Sequence, residues 1–139
     1  MADAVASQTI QDGERLAILK FTNISDGTGE AAVVKVDVST LEPDHLGHAC
    51  TGVKINKIWA QTQGMGIDIL WVADANVVVE TVPQNVMYKM KYDEFGGLPN
   101  NAGTGKTGDV AFTTVGHTAA DRYTVILELI KTYANPSTW

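Results

Sequence analysis

Residues 52–76, GVKINKIWAQTQGMGIDILWVADAN, constrain the fold more than any other stretch of this chain. Two runs of strand character, 53–62 and 67–73, flank the turn Gln63-Gly64-Met65-Gly66, and each carries a tryptophan late in the run, Trp59 and Trp71, among β-branched residues. Large aromatics on strands bury much apolar area, so both are expected in the core, and the pair of runs reads as a central β-hairpin.

Strand signals continue on both sides. Leu16, Ile18, Leu19, Phe21 and Ile24 form a run closed by Ser25-Asp26-Gly27-Thr28-Gly29. Residues 31–38 alternate, with Val34, Val36 and Val38 opposite Lys35 and Asp37, and are expected to pair with the preceding run as a hairpin. Residues 39–51 are irregular, and a crossing between sheets is expected there. Runs at 77–82, 86–92 and 109–115 follow, with Ile69 and Phe112 among the expected core residues.

The closing run, RYTVILELIKTY, has the length of a helix, and Leu-Glu-Leu-Ile-Lys favours one. Tyr-Thr-Val-Ile favours strand more strongly and no clear cap precedes it, so it is assigned as a strand with Tyr123, Val125, Leu127 and Leu129 on one face. The sum is an all-β chain of about eight antiparallel strands in a two-sheet sandwich of jelly-roll type. Residues 14–134 form that domain, after an extended N-terminal arm over 1–13 and before a tail over 135–139. The arm is expected to be dispensable for folding and free to dock on a neighbour.

At 139 residues the chain is long enough for one core. Its formal net charge of -6, with ten Lys and Arg scattered through the sequence, speaks against a nucleic-acid-binding module. No apolar run approaches a membrane span of ~20 residues, and the N-terminus lacks the pattern of a secretory signal, so synthesis in a cytoplasm is expected. A single cysteine, Cys50, rules out an intrachain disulfide and reads as a small buried hydrophobe.

Three constellations invite a chemical reading. Gly105-Lys106-Thr107 ends like a phosphate-binding loop, but position 100 is Asn where the motif needs Gly, and a strand follows where the mechanism needs a helix N-terminus. Asp44, His45, His48 and Cys50 crowd one loop, yet lack the partner pair that a structural zinc site requires. His117 and Asp121 lie near Thr118 without a nucleophile elbow. No catalytic residue, metal site or cofactor is expected. Aromatics on a sandwich face (Trp59, Trp71, Trp139, Tyr88, Tyr92, Tyr123, Tyr133) suit either a core or stacking on sugar rings.

Five segments, VKINKIW at 53–59, DILW at 68–71, FGGL at 95–98, TGDV at 107–110 and YTVIL at 123–127, together with Lys131, resemble those of capsid decoration, or cement, proteins of tailed phages. They span residues 53–131. The resemblance implies a sandwich protomer, commonly a homotrimer, that binds major capsid protein on the outer surface of an icosahedral virion, without enzymatic activity, nucleic acid or membrane. Ala2, Asp3, Val5, Gln8 and Ile10 of the arm are the expected capsid contacts; Trp59, Trp71, Ile69, Phe112, Val125 and Leu127 are the expected core. The alternative is a carbohydrate- or receptor-binding module of a phage fibre.

Overall fold

A computed structural model describes residues 4–13, 15–27, 29–100, 102–105 and 107–133. Among the described residues nine strands make up two antiparallel sheets: β1 (Ala4–Asp12), β2 (Leu16–Ile24), β3 (Val33–Val36), β4 (Cys50–Gln63), β5 (Gly66–Trp71), β6 (Val77–Val82), β7 (Met87–Lys91), β8 (Val110–Val115) and β9 (Arg122–Tyr133). One sheet runs β1-β2-β9-β4-β7 and the other β3-β8-β5-β6. Setting β1 aside, the order β2-β9-β4-β7 facing β3-β8-β5-β6 is that of a jelly roll.

The expected strands are present, but two expected pairings are not. β4 and β5 lie in different sheets, so the tryptophan stretch is a sheet-to-sheet crossing and not a hairpin. Its turn closes tightly over the end of the sandwich: Met65 is fully buried, and a Cβ on Gly66 would sit 2.7 Å from the carbonyl oxygen of Val82. β2 and β3 are likewise in opposite sheets, and β3 pairs with β8. A register shift between Val34 and Val36 breaks the expected single valine face, burying Val36 and exposing Val34. Residues 39–49 cross between sheets as expected, with a 3-10 turn at Val38–Thr40 whose Asp37 side chain accepts from the Ser39 N–H.

Residues 4–12, expected as an extended arm, are extended and hydrogen-bonded to β2 as an edge strand. That pairing places them in the five-stranded sheet, beside β2. The last run is a strand with Tyr123, Val125, Leu127 and Leu129 buried, as its β-propensity indicated.

The core lies between the sheets. Phe21, Phe112 and Tyr123 stack edge to face, with centroid separations of 5.5 and 5.9 Å along the series. Trp71, Ile69, Val125 and Leu127 are buried with them, as expected. Trp59 is the exception among the expected core residues. A bulge between Ile55 and Lys57 resets the alternation of β4, so that Ile55 and Ile58 both point inward and Trp59 points out, half-buried.

Two polar clusters sit inside this frame. The Glu30 carboxylate accepts from Asn23 Nδ2 at 2.8 Å and Tyr123 Oη at 2.6 Å and pairs with Lys35, joining β2, β3 and β9. The Lys131 ammonium, with no side-chain exposure, donates to Asp12 Oδ1 at 2.6 Å, Gly13 O at 2.9 Å and Glu42 O at 2.7 Å. All three of its protons are thereby engaged, as burial of an ammonium requires. Burial alone would lower its pKa; the hydrogen bond and charge of Asp12 outweigh that and hold it above the usual 10.5.

Three outcomes follow from this packing. Trp71→Ala should cost about 3–5 kcal/mol in denaturant melts, because Trp71 is only 1% exposed, whereas Trp59→Ala should cost about 1 kcal/mol. Equal losses would contradict the assignment of the two faces. Lys131→Met should destabilise by about 3–5 kcal/mol by leaving Asp12 without its cation. Because the folded pKa of Lys131 is raised, its contribution is complete below pH 10.5 and should fade as pH rises through the folded value, so alkaline melts of wild type and K131M should converge.

Candidate interaction surface

The three constellations do not assemble into reaction centres among the described residues. Asp44 is buried and organises its own loop: Oδ1 accepts from the Leu46 and His48 N–H groups at 3.0 and 2.8 Å, and Oδ2 lies 3.0 Å from His48 Nδ1. Burial works against the charged carboxylate, but these hydrogen bonds and the charge of His48 prevail and hold Asp44 below its ordinary 3.8. No group of three or more His, Cys, Asp or Glu placed to hold a metal ion occurs among the described residues. The thiol of Cys50 is buried, and desolvation pushes its pKa up. Asp121 Oδ2 accepts from the Thr118 N–H and hydroxyl at 2.8 and 2.9 Å and so closes a turn, while His117 Nδ1 meets Thr114 Oγ1 at 3.1 Å. The glycine-rich loop leads directly into β8.

What the described residues do present is an open edge at β1 and an unusual face on the five-stranded sheet. The two edges of the five-stranded sheet differ in chemistry. β7 carries Lys89 and Lys91, both exposed, which discourage another strand from pairing there. β1, AVASQTIQD, has neither lysine nor arginine nor proline over nine residues. Val5 and Ile10 are 51% and 53% exposed, and Gln8 is exposed between them. Ile10 sits at a register shift between Thr9 and Gln11, so the regular part of the edge ends at Thr9. The edge strand of the other sheet lies on the same side: Ser7, Thr9 and Asp12 line a cleft with Lys35, Asp37 and Thr40, and Val33 and Val34 are exposed nearby. Of the expected contact residues, Val5, Gln8 and Ile10 are therefore accessible, and Ala2 and Asp3 lie outside the described residues.

The outer face of the five-stranded sheet gathers cations that are scattered in the sequence. Cross-strand register aligns Lys20 with Ile126, Trp59 and Lys89 in one row, Glu128 with Lys57 and Lys91 in the next, and places Lys54 and Arg122 toward the ends. Six of the chain's ten Lys and Arg share this face, against one carboxylate, Glu128, among the described strand positions. At its centre Trp59, Met87 and Ile126 border a shallow apolar depression with Gln61 and Thr124 beside it. The Lys89 ammonium lies 5.2 Å from the Trp59 ring centroid. Sequence reasoning missed this face, because it read the cations as dispersed and Trp59 as core. The remaining aromatics divide otherwise: Trp71, Tyr92 and Tyr123 are buried, Tyr92 donating to Glu80 at 2.7 Å, Tyr133 is partly buried, and Trp139 lies outside the described residues.

No family model and no curated protein matches the chain. Among solved structures, a cupin domain from Bordetella pertussis Tohama I is similar over 95% of this chain and 97% of that one, at 8% identity and a TM-score of 0.38. At that score the likeness carries no argument, and the jelly-roll assignment rests on strand order.

The Asp44 loop yields a pH test. Its folded pKa is lowered, so its stabilisation is present above pH 3.8 and is lost as pH falls through the folded value. The His48 amide resonance should titrate with a midpoint below 3.8, and Asp44→Asn should abolish that step; a midpoint at or above 3.8 would contradict the hydrogen-bonded carboxylate.

Proposed function

We propose that the protein is a non-enzymatic virion component that decorates the outside of an icosahedral phage capsid and stabilises it by bridging major capsid subunits, acting as a homotrimer. The observation that carries this reading is β1: a nine-residue edge strand without the lysines, arginines or prolines that discourage strand addition, with exposed Val5 and Ile10. Such an edge offers backbone donors and acceptors to a strand of a partner, while alternate side chains supply specificity. The segments that resemble those of cement proteins support major capsid protein as the partner. Trimerisation multiplies weak contacts, since three sites engaged together hold far better than one.

The alternative reading, a carbohydrate- or receptor-binding module of a phage fibre, draws support from the outward Trp59. Lys89 already covers a face of that ring, which weakens the case for sugar stacking. Glycan-array binding abolished by Trp59→Ala would favour it.

The deciding experiment is co-sedimentation of the purified protein with undecorated heads of the encoding phage, counting copies per shell. Saturation at an icosahedral stoichiometry is expected. The double variant V5K/T9K, which charges two exposed positions of the edge, should leave thermal stability within about 1 kcal/mol of wild type and reduce head binding at least tenfold. Binding unaltered by both lysines would remove β1 from the contact.

A further inference from the structure

We propose that the outer face of the five-stranded sheet docks an acidic protein surface with an apolar centre. The assignment deepens the decoration reading and rests on it only for the partner's identity as the capsid exterior.

Charge complementarity carries the argument. A chain of net charge -6 that places six cations and one carboxylate on one face has a strongly asymmetric charge distribution, and its field orients the molecule toward a negative partner. The layout of the face follows protein interfaces: an apolar middle made of Trp59, Ile126 and Met87, the last 79% exposed, within a polar rim. Tryptophan is among the residues that most often dominate binding energy at such centres. The Lys89 ammonium lies over the Trp59 ring, which favours its place beside the apolar patch before a partner arrives. Lys57, in contrast, lies 3.7 Å from Glu128, so the one carboxylate on the face offsets only part of its charge.

The cations of the face stand in cross-strand rows instead of tracking a groove. A carboxylate-bearing protein surface fits that arrangement better than a phosphate backbone, for which basic residues line a channel. The face also adjoins β1 through β2, so a partner lying across the sheet reaches the open edge as well.

The test compares head binding by wild type with two variants of equal net charge, K89Q/K91Q on this face and V78E/T81E on the outer face of the other sheet, both checked for unchanged thermal melts. K20Q/K57Q repeats the charge loss on interior strands, leaving both sheet edges unaltered. Poly-L-glutamate, heparin and duplex DNA serve as soluble probes in a parallel titration. Head binding weakened about tenfold or more in K89Q/K91Q and K20Q/K57Q, with a shallower salt dependence, and kept in V78E/T81E, supports the proposal. Equal head binding by all the variants overturns it while leaving decoration intact. If wild type does not bind heads, the decoration reading falls and the probes judge the face: polyglutamate binding lost in K89Q/K91Q sustains the acidic-protein assignment, and no polyglutamate binding overturns it. Tighter binding to heparin or DNA than to polyglutamate overturns it in favour of a sulfated sugar or a nucleic acid.

Discussion

The insertion of β9 between β2 and β4 is the interaction on which the rest of the structure depends. Without it β1 and β2 form one ribbon and β4 and β7 another, and neither ribbon has a continuous apolar face to set against the four-stranded sheet. The last strand therefore joins elements made far earlier in the chain. Its inward residues, Tyr123, Val125, Leu127 and Leu129, occupy the middle of the core, and Tyr123 also reaches the Glu30 cluster. Such non-local pairing is expected to make folding slow, because loop closure precedes the contacts that reward it.

Strand positions were legible in the sequence because alternation reports which residues share a face. Partners were not legible from the same signal. A period of two is satisfied equally by a hairpin and by a crossing to the opposite sheet, and in a jelly roll most sequential strands cross. The tryptophan stretch shows the limit clearly: its turn residues suit a tight connection of either kind, and Met65 in the turn, fully buried, is the residue that marks it as a lid on the sandwich. Trp59 was misplaced for a related reason. A single bulged residue, Asn56, inverts the phase of everything after it, and Asn56 Nδ2 instead reaches Glu128 Oε2 at 2.7 Å. The spacing Ile55 to Ile58, three apart, is the trace that this bulge leaves in the sequence.

The interaction surface was hidden by the same antiparallel arithmetic. Lys20, Lys57 and Lys91 are neighbours or near neighbours across strands although more than thirty positions separate each from the next. Linear charge clustering therefore could not reveal the face, and an acidic total concealed it further. β1 was half legible: its sparse apolar residues give no strong strand signal alone, and its conformation is set by the backbone of β2.

The buried Lys131 contact has a consequence for that edge. Asp12, at the end of β1, is tied to a residue 119 positions away in sequence, on the sheet's central strand. Sliding β1 by one residue would turn Asp12 outward and strand an ammonium in the protein interior, so the strand has one permitted phase. Any partner strand laid along β1 meets a template whose alignment is dictated by the far end of the chain, and a mismatch of one residue between the two would be rejected by the fold and not merely by the contact.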